Sequence, residues 1–308
     1  MEQKINFLQH SHIDKKKWDE CIRRSSNGMI YAYSWYLDIV SPGWNALCDE
    51  NYETVFPLTG KKKYRFNYLC QPLFTQQLGV FSSDNNLSEE NVNKFIEAIP
   101  SDYRLIEINL NTKNNFHSND FKISERLTHH LDLDQSYETI YKSYSENLQR
   151  NIKRAVKNEI KLTDEADPKE IISLFKKNKG REVNQYSSAD YKVLLQLFET
   201  ASEKKKISFL GAITSNGKLC AGAVFLHSDH EYIFFFSGSD PEARDAGAMS
   251  FIIDRFIHNH SGEKSKLDFE GSMDKNLARF YKSFGSKEIV YLQIRKNKLP
   301  SYIRWLKK

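Results

Sequence analysis

The second half of the chain changes from a helical to an extended hydrophobic period. Residues 136–161 place apolar side chains on one helical face and basic ones on the other, which predicts one long amphipathic first helix. The tracts 168–179 and 188–204 continue this period and predict two more helices. The runs ISFLGAIT, KLCAGAVFL and YIFFFSG are then rich in branched and aromatic residues and are separated by polar turns. This pattern predicts a three-stranded antiparallel meander.

Helical and extended tracts alternate after the meander. The pattern predicts a helix over 245–259, a strand KLDFEG, a helix over 274–284 and a final strand KEIVYLQIR. Strand, helix, strand units that follow a meander predict a mixed sheet with helices packed across it.

The first half contains an incomplete version of the same order. Helices are predicted over 14–25, 33–40 and 88–99, and extended runs over 45–49, 52–58 and 64–70, followed by the strand YRLIEINL. One more strand precedes Leu133, with no counterpart of the helix at 274–284. We therefore predict a mixed α+β fold in two domains, 1–134 and 135–308.

Composition narrows the class of protein. The chain has 308 residues, 40% of them apolar and 28% charged, a profile of globular proteins that excludes a disordered chain. No run approaches the roughly 20 apolar residues that span a bilayer, and the first residues lack a signal-peptide core. We expect a cytoplasmic protein without a membrane span.

Cysteine and histidine spacing argues against a metal centre. Cys21, Cys48, Cys70 and Cys220 form no CxxC or CxxH motif, and the nine histidines form no set with nearby ligands. We expect no metal and no disulfide framework.

Several short motifs occur in a defined order. They are the run Asn276–Gly285 with Tyr281 four residues before Gly285, the group Ser237–Ser239, and Asp268-Phe269-x-Gly271. Together with the basic first helix, they resemble the GCN5-related N-acyltransferase (GNAT) superfamily, in its tandem-domain FemABX branch. The resemblance implies two GNAT-like folds, each a mixed, mostly antiparallel sheet flanked by helices, with the active site in the second.

The resemblance also implies an activity. It is the transfer of an acyl group from acyl-CoA, such as acetyl-CoA, to a primary amine on a small molecule or peptide, as in bacterial N-acetyltransferases. The sequence departs from the family pattern at two positions, and two alternative functions stay open. Met249 stands where coenzyme A users of the superfamily have a small residue, which favours a catalytically silent binding module. The basic helix and tandem architecture favour a FemABX-like enzyme that uses aminoacyl-tRNA and a cell-wall peptide precursor, although Phe280 is followed by Tyr281 rather than lysine.

Acyl transfer needs a neutral amine and a proton for the leaving group. Asp268 and Glu270 alternate on a predicted strand and would share one face near its carboxyl end, so either is a candidate base. The alternative is that one caps the next helix and the other pairs with a lysine. By resemblance Tyr281 faces the thioester and is the candidate acid; the alternative is that it only packs beside Phe280 and Phe284.

The remaining candidates are groups that would bind phosphate. The turn from Ser237 to Gly247 is rich in small residues, so its amides and the following helix end can approach an anion. The predicted donor-binding residues are Ser237, Gly238, Arg244, Gly247 and Ala248. The predicted phosphate contacts on basic helices are Arg150, Lys153, Arg154 and Lys282, although such a stripe is more often a solvated face.

Overall fold

The computed structural model describes residues 4–63, 66–178, 186–271 and 273–300. Contacts between Cα atoms divide the chain into two compact units. The first contains residues up to Leu127 together with those from Val290 onward, and the second spans Thr128–Ile289. Among the described helices the longest has 16 residues, and none is both long and apolar enough to cross a bilayer.

The first unit contains three described α-helices and two sets of paired strands. Strands pair in the order β1-β2-β3-β6 and in the order β4-β5-β7-β14. Its helices are α1 (Lys15–Arg24), α2 (Ser34–Val40) and α3 (Glu89–Glu97). Its strands are β1 (Asn6–Leu8), β2 (Asn45–Cys48), β3 (Thr54–Leu58), β4 (Gly60–Lys63), β5 (Phe66–Cys70), β6 (Phe81–Ser82) and β7 (Tyr103–Asn109). Strand β8 (Lys122–Asp132) leads from the first unit into the second, and β14 (Lys287–Asn297) leads back.

Local sequence determines how this unit begins. Asp14 accepts hydrogen bonds from the amides of Lys16 and Lys17 and so caps α1. Trp18 on α1 is fully buried, packs on the Trp44 ring at 4.7 Å and donates a hydrogen bond from Nε1 to the Ala32 carbonyl at 2.8 Å. Both indoles therefore bury their rings in the core with the N–H satisfied, since Trp44 Nε1 donates to Asp38 Oδ1 at 3.0 Å.

The second unit packs helices on a mixed sheet. Its strands follow the order β8-β13-β12-β11-β10-β9; β12 and β13 are parallel and the other neighbouring pairs antiparallel. The strands are β9 (Lys161–Thr163), β10 (Ile207–Ile213), β11 (Leu219–His227), β12 (Glu231–Ser239) and β13 (Lys266–Asp268). The helices are α4 (Tyr137–Lys142), α5 (Glu146–Lys157), α6 (Pro168–Lys177), α7 (Ser188–Glu203), α8 (Pro241–Ala246), α9 (Ala248–His260) and α10 (Lys275–Lys282).

The predicted α+β class and the predicted meander are confirmed. Strands β10, β11 and β12 are the three predicted runs, joined by short turns. Residues 64 and 65 of the predicted strand 64–70, and residue 179 of the predicted helix 168–179, lie outside the described residues.

Two tracts that were each predicted as one continuous helix are interrupted in the structure. The long helix over 136–161 is two helices, because Ser145 is extended (φ −63°, ψ 150°) and its side chain caps α5 by accepting from the Leu148 amide. The helix predicted over 245–259 is preceded by α8, which ends at Gly247 in the left-handed region (φ +79°) where α9 begins. In both places one residue with a special backbone conformation interrupts a continuous apolar pattern.

The last strand is grouped differently from the predicted boundary. Residues from Val290 onward belong to the first unit because β14 pairs with β7, with Gln293 opposite Asn109 and Asn297 opposite Leu105. The hydrophobic pattern of one strand does not indicate which distant strand it pairs with, so the sequence could not predict this pairing.

Candidate functional site

A cavity of about 540 Å³ lies beside the carboxyl half of β12. Strands β12 and β13 pair only over Glu231–Ile233 and Lys266–Asp268, and β12 then continues to Ser239 after β13 has ended. Helices α6, α9 and α10 contribute the other walls. The described lining residues are Asn151, Phe175, Asn178, Phe234, Ser237, Gly238, Ser239, Arg244, Gly247, Met249, Ser250, Asp274, Asn276, Leu277, Phe280 and Tyr281.

Gly247 lies between α8 and α9 and lines this cavity. Its φ of +79° is costly for any residue with a side chain. A Cβ built there would also lie 2.3 Å from the Asn151 carbonyl oxygen on α5. Glycine is thus required twice, by the turn and by the close approach of α5.

The first turn of α9 lines the cavity. No side chain caps this helix, and Gly247, Met249 and Ser250 at its start line the cavity together with Arg244. The uncapped amides and the helix dipole favour an anion at this wall, and the Arg244 guanidinium adds a positive charge.

Glycine is required at position 238 for a different reason, the close packing of α6 on β12. A Cβ at Gly238 would lie 2.5 Å from the Ile171 carbonyl oxygen and 2.6 Å from the Phe175 amide nitrogen. The lack of a side chain allows α6 to pack directly on β12, so this glycine shapes the cavity wall by bringing Phe175 close. Ala248 is buried and is not among the described lining residues.

Helix α10 places Tyr281 in another wall of the cavity. Asp274 caps the helix by accepting from the amides of Asn276 and Leu277, and both of these residues and Asp274 itself line the cavity. Tyr281 is 8% exposed and stacks on the Phe269 ring at 5.1 Å. Burial raises the pKa of the Tyr281 phenol above its ordinary value, and the nearby charge of Glu270 adds to this. The phenol therefore keeps its proton at neutral pH.

The fold of the chain recurs in solved structures. No family model matches the sequence, and no curated protein matches it. The structure titled FemX superposes with a TM-score of 0.68 over 98% of this chain and 99% of that one, at 12% sequence identity. A conserved protein of unknown function from Bacteroides thetaiotaomicron follows at 0.60, with 12% identity over 95% and 99% of the two chains. The C-terminal domain of a putative lysylphosphatidylglycerol synthetase from Agrobacterium fabrum gives 0.55, with 10% identity over 95% and 94%.

The fold is of the GNAT/FemABX type. Similarity over nearly the whole length of both chains confirms the expected tandem architecture. Five predicted site residues line the cavity described above: Ser237, Gly238, Arg244, Gly247 and Tyr281. The cavity also contains residues for which the sequence offered no signal, such as Asn151 on α5 and Asn178 after α6.

The two predicted carboxylate bases do not share a strand face, which corrects the sequence expectation. Strand β13 ends at Asp268, and Glu270 adopts a left-handed conformation with φ +58°. Alternation of side chains holds only while the backbone stays extended, so it fails at this position. Glu270 is half-buried and is not among the described residues lining the cavity, where the carboxylate is that of Asp274.

Asp268 is held by a hydrogen-bonded network away from the cavity. Its carboxylate accepts from Thr128 Oγ1 at 2.5 Å, lies 3.2 Å from His130 Nε2 and accepts from the Glu270 amide at 2.8 Å. Burial opposes ionisation, but the hydrogen bond and charge of His130, the hydrogen bond from Thr128 and the charge of Lys266 outweigh it and hold the Asp268 pKa below its ordinary value. These contacts suit a structural anion.

The same network contains a group of potential metal ligands that sequence spacing did not reveal. One ligand atom each of His130, Glu231 and Asp268 lies within 4.8 Å of the others. The Lys266 ammonium, however, already lies 2.9 Å from Glu231 Oε1 and neutralises it. We interpret the cluster as a buried ion-pair network across β8, β12 and β13. That the protein binds no metal remains a prediction.

The predicted phosphate contacts on the basic helices lie outside the described cavity lining. Arg150 and Lys153 are exposed on α5. Arg154 donates from Nη1 to the Asp245 carbonyl at 3.0 Å, which ties α5 to the end of α8. Lys282 pairs with Glu288 at 2.8 Å. Arg154 and Lys282 therefore have structural partners, whereas Arg150 and Lys153 form a basic surface.

Proposed function

We propose that this protein is an N-acyltransferase that moves an acyl group from acyl-CoA to a primary amine. The observation that carries the proposal is a single cavity with an uncapped helix N-terminus and Arg244 at one wall and the buried phenol of Tyr281 at another. The first wall suits the phosphates of an activated carrier, and the second suits a leaving thiolate.

The reaction assigns one role to each wall. The amine nitrogen bonds to the thioester carbonyl carbon, the carbon–sulfur bond breaks, and its electron pair goes to sulfur. Tyr281 gives its O–H proton to the thiolate, and the amine gives one proton to a carboxylate, so the products are an amide and free coenzyme A. The Tyr281 phenol is protonated when the thiolate forms and can therefore donate, although its raised pKa makes it a weaker acid than an ordinary tyrosine.

We propose Asp274 rather than Glu270 or Asp268 as the carboxylate nearest the acceptor amine. Asp274 lines the cavity and is exposed, so it can exchange a proton with solvent. Glu270 then acts on Tyr281 by its charge, and Asp268 acts by holding Glu270.

A second candidate is aminoacyl-tRNA-dependent transfer of the FemABX kind, with a cell-wall peptide precursor as acceptor. The exposed charges of Arg150 and Lys153 favour it, since an exposed basic helix suits a phosphate backbone. The full-length similarity to FemX and to the lysylphosphatidylglycerol synthetase domain is compatible with it. A silent binding module receives less support, because Met249 lines the cavity and still leaves about 540 Å³ open.

Thermal unfolding of the full chain with and without acetyl-CoA tests the donor. A ligand bound only by the folded state raises the midpoint, and at a hundred times Kd the gain is about 2.7 kcal/mol. We expect a clear rise that Arg244→Gln diminishes, whereas Arg255→Gln, an exposed arginine on α9 outside the described lining, leaves it intact.

The tRNA alternative predicts a different result. No shift with coenzyme A or its thioesters would contradict the acyl-CoA proposal. Binding of charged tRNA, measured by fluorescence anisotropy and abolished by the double variant Arg150→Glu, Lys153→Glu, would establish the second candidate instead. A protein that binds none of these would be the silent module.

A further inference from the structure

The cavity has an apolar wall that an acetyl group would not cover. Helix α10 presents Leu277, Phe280 and Tyr281 to it, a spacing of three and four residues that places all three side chains on one helical face. Phe234 on β12, Phe175 on α6 and Met249 on α9 complete this apolar wall.

Aromatic rings of the apolar wall and of the core behind it surround the proposed acid. The Tyr281 ring lies 5.1 Å from the Phe269 ring, 6.0 Å from the Phe280 ring and 6.3 Å from the Phe234 ring, centroid to centroid. If Tyr281 protonates the leaving sulfur, the acyl carbonyl lies beside it, and the rest of the acyl group extends along Phe234, Phe280 and Leu277.

Polar residues also line the cavity, several of them beside the apolar wall: Asn178 after α6, Ser237 and Ser239 on β12, and Asp274 and Asn276 at the start of α10. The positive charge lies elsewhere. Arg244 and the start of α9 supply the positive wall, and Asn151 and Ser250 lie with them on neighbouring elements α5 and α9. The charge of Arg244 and the start of α9 assign the phosphates of the carrier to that part of the cavity, which leaves the side chains of the apolar wall for the acyl group. An acetyl group ends in one methyl, comparable to the roughly 30 Å³ of a water molecule, and would leave most of that wall in contact with water.

We propose, resting on the acyl-CoA donor proposed above, that the site accepts apolar acyl groups longer than acetyl and that Leu277 limits their length. Leu277 is half-buried one helical turn before Tyr281, so its side chain meets an acyl chain a few carbons beyond the carbonyl. Met249 contributes to the same wall, which gives the bulky residue at that position a function in donor selection.

Calorimetric titration of the full chain with coenzyme A and with acetyl-, butyryl- and hexanoyl-CoA measures this directly. Each methylene that enters an apolar site tightens binding by about fourfold. We expect Kd to fall from acetyl- to hexanoyl-CoA. Leu277→Trp, which fills the wall, should reduce the affinity for hexanoyl-CoA at least tenfold more than that for acetyl-CoA. Leu277→Ala should extend the preference to octanoyl-CoA.

Val290→Trp is the matched control, because Val290 is an exposed apolar residue outside the described cavity lining. It should leave the order of affinities unchanged. Equal Kd values for acetyl- and hexanoyl-CoA, or a chain-length order that Leu277→Trp does not alter, would overturn the inference while the acyl-CoA proposal stood. Failure of every coenzyme A species to bind would overturn both.

Discussion

The Glu270 amide donates a hydrogen bond to Asp268 Oδ1 at 2.8 Å, across the point where β13 ends. This bond accompanies the left-handed conformation of Glu270 and places its charge near Tyr281. Asp268 is fixed in turn by Thr128 and His130 on β8. A buried carboxylate thereby connects the strand network to the residue that raises the Tyr281 pKa.

Replacement of Asp268 with asparagine should destabilise the fold. The amide cannot accept as many hydrogen bonds, and it removes the negative charge beside His130, so we expect a loss of about 2–4 kcal/mol in the free energy of unfolding. Urea denaturation measures it. The control is Asp229→Asn, whose partner Lys206 lies at 3.0 Å on the exposed surface and which should cost below about 1 kcal/mol. Equal effects of the two changes would refute the role of Asp268.

Removal of the Tyr281 hydroxyl should slow the reaction and leave the ring packing intact. We expect Tyr281→Phe to lower the turnover rate about 10-fold to 1000-fold, because the thiolate loses its proton donor. Steady-state release of free thiol measures the rate once an acceptor is in hand. Tyr232→Phe is the control, since this tyrosine donates to Glu263 and lies outside the described cavity lining. A normal rate for Tyr281→Phe would remove Tyr281 from the mechanism.

Alanine substitutions at Gly247 and Gly262 can be compared to measure the cost of the clash with α5 separately from the cost of backbone strain. Both have positive φ, +79° and +85°, but a Cβ at Gly262 would have no neighbour within 4 Å. Alanine should cost about 1–2 kcal/mol at Gly262 from backbone strain alone. At Gly247 the clash with Asn151 should add about 1–3 kcal/mol, seen as a lower midpoint in thermal unfolding. Similar losses at the two sites would mean that α5 simply moves away.

Acidification should destabilise the protein through His227. Burial lowers the pKa of His227 to about 4, and the charges of His260 and Lys206 add to this. His227 of the unfolded chain therefore binds a proton near pH 6.5, whereas His227 of the folded protein stays neutral until about pH 4. The contribution of His227 to the free energy of unfolding is highest above pH 6.5 and decreases as the pH falls toward 4. Between pH 7 and 5 the loss is about 2 kcal/mol.

Stability measured against pH for His227→Gln tests this. The variant should lose less stability than the parent protein between pH 7 and 5, whereas His230→Gln, at an exposed position, should follow the parent curve. An unchanged slope in His227→Gln would assign the acid sensitivity to other groups, such as the buried His129.

Periodicity determined the order of elements in this chain. The meander of β10, β11 and β12 and the helix carrying Tyr281 follow directly from local apolar patterns, because those patterns reflect which face each element buries. The same patterns missed the breaks at Ser145 and Gly247, where capping and a left-handed residue interrupt a helix without changing its apolar period.

Only the tertiary structure decided which residues form the cavity. The sequence predicted that Asp268 and Glu270 share one strand face, yet the strand ends at Asp268 and Glu270 is left-handed, with its amide hydrogen-bonded to Asp268. Asp274, Asn151 and Leu277 meet at the cavity from α5 and the start of α10. The physical reason is that hydrophobic periodicity reports burial one element at a time, whereas a binding site depends on distances between elements far apart in the chain.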